Sequence, residues 1–235
     1  MEVIYEDNHI IVVNKAPGEI VQGDKTGDTP LSDTVKQWIK ETHAKPGNVF
    51  LGVVHRLDRP VGGLVVFAKT SKALSRLNEM FRNGDVHKTY WAITRNLPPK
   101  ESDLLTHYIT TVERNNKSYA SVTPKNGAKE SKLRYRLLSK GERFNLVEVE
   151  LLTGRKHQIR VQMSSIGCPI RGDLKYGDKR SNPDGSISLI AHRIKFIHPV
   201  SGKEIDLTAP VPAERLWLEL EKEALNKPNN SDKIE

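Results

Sequence analysis

The polar and apolar positions of the chain fall into short blocks of two distinct periods. Residues 2–6 and 9–14 read as strands around the turn Glu6-Asp7-Asn8, the second carrying the β-branched run Ile10-Ile11-Val12-Val13. After the loop APGEIVQGDKTGDTP, Pro30 opens a helix in which Leu31, Val35, Trp38 and Ile39 recur at helical spacing. HAKPGN ends it. Residues 53–70, VVHRLDRPVGGLVVFAKT, read as strand, turn and strand. Ser71 begins a second helix with Leu74, Leu77, Met80 and Phe81 on one face and Gly84 as its stop. The strand VHKTYWAIT follows, and then a meander of HYITTV, KSYASV, KLRYRLL and FNLVEVELL, separated by Asn, Gly, Pro and Lys clusters. The period changes at Thr153-Gly154. HQIRVQMSSIG sets Ile159, Met163 and Ile166 at spacings of four and three, which predicts a helix with one buried stripe. SLIAHRIKFI and KEIDLTA return to strand patterning, and a closing helix from Glu214 to Leu225 offers Leu216, Trp217 and Leu220 to the core. The expected fold class is α+β, with a mainly antiparallel mixed central sheet flanked by helices. One domain is expected over residues 1–226, followed by a polar, disordered tail over 227–235.

Composition narrows the setting. With 235 residues, 37% of them hydrophobic, the chain can bury a substantial core. Cys168 is the only cysteine, which excludes a disulfide framework and a cysteine-based metal site and fits a reducing cytoplasm. No stretch approaches the ~20 apolar residues of a membrane span, and the first residues lack the basic start of an export signal, so a cytoplasmic protein without membrane contact is expected. The net charge of +8 suggests a polyanionic partner but also suits many soluble proteins. Its distribution says more: residues 153–203 hold ten Lys and Arg against three Asp. That segment reads as a phosphate-facing surface or as a solvated face.

Three short constellations carry possible chemistry. In His55-Arg56-Leu57-Asp58, the aspartate stands at a turn between two apolar strands, before Pro60 and Gly62-Gly63. By itself it reads first as a turn or cap residue. In TGRKHQIR, residues 153–160, Arg155, His157 and Arg160 lie at the start and first turns of a helix, where free N–H groups add to the attraction for anions. Arg160 flanks the buried stripe and needs an anion such as Asp58. On VHKTYWAIT, alternation sends Lys88 and Tyr90 to one face and Thr89 and Trp91 to the other. Tyr90 can stack on a nucleobase or serve as core.

Taken together the stretches resemble the RluA-type RNA pseudouridine synthases. YEDNHIIVVNKAPG is similar to that family's opening strand pair, VHRLDRPVGG to its catalytic motif, HKTYWA to its K-x-Y strand and TGRKHQIRVQM to its arginine motif; RGDLKYG and AHRIKFIHPVSGKEIDLTAPVP also match. The resemblance covers about residues 4 to 213 in order. It implies a single catalytic domain with its cleft across the sheet, and isomerisation of uridine to pseudouridine in ribosomal or transfer RNA. No metal and no cofactor are implied, because the reaction has no net redox change or hydrolysis. It implies Asp58 as nucleophile, Tyr90 as the residue on the target uracil and a proton-transfer candidate, and Arg160 as the partner of Asp58. Arg56 resembles the family arginine that displaces the base, and His55, Arg155, Lys156 and His157 are expected to meet RNA. A monomer without a preceding S4-type module is expected. Two departures stand out: Val61-Gly62-Gly63 replaces the usual Thr-Ser-Gly, and Gln162 stands where His is usual. Two other classes compete. A noncatalytic RNA-binding or assembly factor would not need Asp58, Tyr90 and Arg160 together. A glycoside or nucleoside hydrolase would need a second carboxylate near Asp58, for which Asp173 is the candidate.

Overall fold

Eleven strands pair into one sheet. They are β1 (Glu2–Glu6), β2 (Ile10–Lys15), β3 (Gly52–Val53), β4 (Gly62–Ala68), β5 (His87–Thr94), β6 (Ser102–Val112), β7 (Lys117–Ser121), β8 (Lys129–Lys140), β9 (Asn145–Leu151), β10 (Leu189–Ile197) and β11 (Glu204–Thr208). The computed structural model describes residues 1–226, so the expected tail over 227–235 lies outside the described residues. The spatial order is β1-β2-β4-β10-β5-β9-β8-β6-β7, with β3 added to β4 and β11 to β10. Four α-helices are described, α1 (Leu31–Thr42), α2 (Ser71–Asn83), α3 (Gln158–Ser165) and α4 (Arg215–Asn226). None of them is long and apolar enough to cross a membrane.

Each helix is local sequence made geometric. Thr70 Oγ1 accepts from Ala73 N at the start of α2, and Gly84 closes it at φ 85°. Leu31, Val35 and Ile39 of α1 enter the largest apolar cluster, beside Val13, Val65, Tyr90 and Val149 of the sheet. Ala73 and Leu77 of α2 pack with Ile10, Val66 and Phe196. Trp217 and Leu220 of α4 cover Trp91, Ile93 and Leu146. The alternation expected for β5 therefore holds, Tyr90 entering one cluster and Trp91 another.

Two expectations change. β6 starts at Ser102, earlier than the pattern HYITTV suggests, because Leu105, His107 and Ile109 continue one inward row and the strand pairs with β8 from Ser102↔Arg136 to Ile109↔Lys129. A histidine in an inward position hid that row. The second change is larger: α3 has no single buried stripe. Gln158 through Met163 are all buried, because Ile159 and Met163 face the main core while Val161 packs with Ile109 and Tyr176. Only its last turn, at Ser165, reaches the surface.

β10 joins the two parts of the sheet. It runs parallel to β4 and antiparallel to β5, so Ala191 pairs with Gly63 on one side and with Tyr90 on the other. Gly63 has φ 109°, and a Cβ there would sit 2.4 Å from the Ala191 carbonyl oxygen. The missing side chain is what lets the strands meet. Gly63→Ala should therefore cost about 3 kcal/mol or more in urea denaturation, where conformational strain and backbone overlap act together. Gly127→Ala, at φ 74° with nothing near its Cβ position, should show the conformational part alone, about 1–2 kcal/mol. Equal losses would remove the close approach from the account.

Candidate active site

The site begins with a turn whose carbonyls are all taken. Val61 N donates to Asp58 O at 3.0 Å, Gly18 N to Arg59 O at 2.8 Å, and Ile187 N to Pro60 O at 3.1 Å. The ammonium of Lys15, at the end of β2 and 1% exposed, donates to Ala16 O, Arg59 O and Val61 O at 3.0, 3.2 and 2.7 Å. Its three protons thus meet three carbonyls. Burial pulls the Lys15 pKa down to about 8 against the opposing pull of the Glu19 and Asp58 carboxylates. Asp58 is in this way presented on a backbone fixed from three directions.

Arg160 meets that aspartate from α3. Its Nη1 donates to Asp58 Oδ2 at 3.0 Å, while Nε and Nη2 donate to Asp173 Oδ2 and Oδ1 at 2.7 and 2.9 Å. The guanidinium is buried between two carboxylates, and its third neighbour is the ring of Tyr176, 5.0 Å from centroid to Cζ. Burial works against the charge, but the Asp173 and Asp58 partners outweigh it and raise the Arg160 pKa. A fork with one arm committed to Asp173 can extend its other arm in only one direction. Asp173, held out of solvent, uses both oxygens as acceptors from Arg160 and so presents no proton to a leaving group. The second-carboxylate requirement of a hydrolase is not met by this arrangement.

The remaining expected residues separate. His157, in the left-handed conformation at φ 55°, precedes α3 and places Nε2 3.6 Å from Asp58 Oδ2. Its Nδ1 meets the Tyr176 hydroxyl at 2.8 Å, which itself accepts from Ser118 N. Burial lowers the His157 pKa to about 4, with Arg160 and nearby lysines assisting and Asp58 opposing. A neutral imidazole that accepts from Tyr176 carries its proton on Nε2, toward Asp58. His157 is thus turned to the carboxylate instead of to the surface expected of an RNA contact. His55 also leaves the expected surface: its Nε2 accepts from Val66 N at 3.0 Å, its ring stacks on Phe81 at 4.7 Å, and burial lowers its pKa to about 3. It pins the turn that carries Asp58 to α2.

Tyr90 is 7% exposed, and burial followed by the Asp58 charge raises its pKa, so the hydroxyl keeps its proton at neutral pH. Arg56 is exposed beside Asp58 and reaches Gln22 Oε1 at 3.5 Å. Arg155 and Lys156 are exposed before α3, the latter 3.2 Å from Glu113. The helix start does not offer free N–H groups at Arg155, because Gln158 Oε1 accepts from Arg155 N at 3.0 Å. The basic segment is also not one surface. Arg160 is buried, Arg171 pairs with Glu214, and Arg193 and Lys195 pair with Asp206 and Glu204 on β11. A run of sequence charge was partly neutralised by partners distant in the chain.

Lys15 and Tyr176 are the members that sequence patterning assigned no role in this cluster, and Asp173, considered there only as a second carboxylate near Asp58, is the partner of Arg160. Their signal was present only as a lysine closing an apolar strand and as the residues of RGDLKYG.

Comparison with known proteins places these residues in a family context. A family model described as RNA pseudouridylate synthase matches residues 9–165, which span Asp58, Tyr90 and Arg160 but stop before Asp173. The chain is 33% identical over 217 residues to the ribosomal large subunit pseudouridine synthase C of Vibrio cholerae, covering 90% of this chain and 66% of that protein. It is 30% identical over 241 residues to the tRNA pseudouridine synthase C of Vibrio vulnificus, covering 94% of each. Among solved structures, human RNA pseudouridylate synthase domain containing 4 aligns over 95% of this chain and 93% of that one, with a TM-score of 0.77 and 25% identity.

Asp173→Asn should reveal the cost of the buried fork. The amide keeps the shape but turns an N–H toward a guanidinium N–H, so unfolding free energy should fall by about 3 kcal/mol or more in urea titration. A loss below about 1 kcal/mol would mean that Arg160 does not depend on this partner.

Proposed function

The chain belongs to the RNA pseudouridylate synthase family, and from that premise we propose that it converts uridine to pseudouridine in ribosomal or transfer RNA, with Asp58 as the nucleophile. The C1′–N1 bond of the uridine breaks, the uracil turns within the pocket, and C5 joins C1′. The C5 proton leaves and N1 gains one, so atoms and electrons balance with no second substrate. The enzyme is one catalytic domain over residues 1–226, working as a single chain in the cytoplasm.

The observation that carries this reading is the asymmetry of Asp58. Arg160 Nη1 and His157 Nε2 both lie on Oδ2, at 3.0 and 3.6 Å, and the carboxylate remains 28% exposed. Oδ1 is then the oxygen offered to the ribose. A nucleophile oriented by a bond to its other oxygen has lost rotational freedom before substrate arrives. Tyr90, with its ring in the core and its hydroxyl protonated, supplies a flat wall for the uracil and a proton donor or relay near Asp58. Arg56, exposed beside the turn, is the group that fills the space of a displaced base, a displacement that costs a few kcal/mol. Arg155 and Lys156 take nearby phosphates.

Purified protein incubated with unmodified ribosomal and transfer RNA transcripts should produce pseudouridine, detected by carbodiimide-dependent primer-extension stops. Asp58→Asn should fold and bind RNA normally and form no product above roughly a hundredth of the wild-type rate. Faster turnover would refute the nucleophile. Tyr90→Phe separates ring from hydroxyl. It should keep wild-type RNA affinity, while single-turnover product formation falls by about 10² to 10⁴. Wild-type turnover there would leave Tyr90 as a stacking wall alone.

A further inference from the structure

A cavity of about 410 Å³ lies between β7 and the edge formed by α3 and the 3-10 turn Leu174–Tyr176. None of the roles assigned above uses it. Tyr176 belongs to both places: it lines the cavity, and its ring and hydroxyl meet Arg160 and His157. Two side chains, Tyr176 and then Arg160 or His157, therefore stand between the cavity and Asp58.

Its lining is cationic and aromatic. The Lys117 ammonium stands 5.7 Å from the Tyr119 ring centroid and 5.5 Å from that of Tyr176. Lys175, on the 3-10 turn, reaches across to Asn116 O at 3.0 Å, next in the chain to Lys117. Tyr119 is 45% exposed and Leu174 57% exposed, so a flat ring and an aliphatic side chain face water across the opening. Asn115 Nδ2 donates to the Tyr119 hydroxyl at 3.0 Å and steadies the ring. No Asp or Glu lines the cavity among the described residues.

We propose that this cavity binds one unpaired nucleotide of the substrate RNA, flanking the target uridine, with the base against Tyr119 and Leu174 and the phosphate between Lys117 and Lys175. The proposal rests on RNA being the substrate. The volume is in the range of small-ligand pockets. Two ammonium groups at the rim suit one phosphodiester, and an exposed tyrosine suits the π-face of any base. An acidic peptide would satisfy the lysines but leave the ring without a planar partner. The serine hydroxyls at the back add little base selectivity, because Ser164 Oγ donates to Tyr176 O at 2.6 Å and Ser165 Oγ to Gln162 O at 2.7 Å. Both face the cavity only as acceptors. Recognition is therefore by stacking and charge, tolerant of base identity.

The test uses Tyr119→Ala, Tyr119→Phe and the double variant Lys117→Ala/Lys175→Ala, with melting curves as the folding control, since β7 is an edge strand. The probes are unmodified ribosomal and transfer RNA transcripts. Tyr119→Ala should raise the RNA Kd roughly 5- to 100-fold, and Tyr119→Phe should stay near wild type. The double variant should flatten the slope of log Kd against log salt by about one to two. Single-turnover rates at saturating enzyme should match wild type in all three. Wild-type Kd and salt slope in both Tyr119→Ala and the double variant would overturn the proposal, as would tighter competition by an acidic peptide than by an oligoribonucleotide. The two readings fail separately. Weakened variant binding in a protein that modifies no transcript would sink the isomerase alone; normal modification with unchanged variant affinities would sink the nucleotide cavity alone.

Discussion

The buried guanidinium of Arg160 is the constraint around which the rest of the site is arranged. A cation out of water requires anions, and two are supplied from different parts of the chain, Asp58 from the turn before β4 and Asp173 from the loop after α3. Asp173 satisfies the fork in two places, which leaves the remaining N–H aimed and not free to search. The neutral state of His157 follows from the same accounting. A second cation facing Asp58 so close to Arg160 would be poorly solvated, and burial keeps the imidazole uncharged. Tyr176 closes the arrangement, bearing the guanidinium on its ring and the imidazole on its hydroxyl.

Asp58 itself is held by backbone chemistry. An aspartate on a tight turn would ordinarily flex with it, since loop carbonyls exchange water readily. Here Lys15 replaces that water. A lysine suits the task because three donors on one atom can gather three converging carbonyls, which no single amide or hydroxyl side chain can do. The positive charge also lies beneath the carboxylate that the turn presents. Structure and electrostatics are therefore carried by one buried side chain.

Most elements were legible because their apolar spacing is local. The helices from Leu31 and Ser71 could be read from single-face repeats, and both β5 faces from strict alternation. Asp58, Tyr90 and Arg160 were legible through the order of short motifs, and the Asp58–Arg160 contact followed from the need of a half-buried arginine for an anion. What could not be read was anything decided by a distant partner. α3 is buried on every side from Gln158 to Met163 because β6, β8 and Tyr176 surround it, and eight residues cannot announce that. His55 and His157 carried polar identities that suggested a surface, but Val66 N and Tyr176 Oη occupy their ring nitrogens. The charge of residues 153–203 was countable, whereas its neutralisation by Glu204, Asp206 and Glu214 depended on strand pairing and helix docking.

The position of β10 has a consequence for synthesis. This strand, from residue 189 onward, lies between β4 (Gly62–Ala68) and β5 (His87–Thr94), both made far earlier in the chain. While the ribosome is extending the chain, Gly63 and Tyr90 have no strand between them, and Pro60 O awaits the N–H of Ile187. Long-range parallel pairing is slow to form and comes late. A nascent or truncated chain lacking β10 therefore carries Asp58, Tyr90 and Arg160 without the spacing that makes them a site. The cluster around Asp58 is thus not assembled beside the RNA-rich ribosome until nearly the whole protein exists.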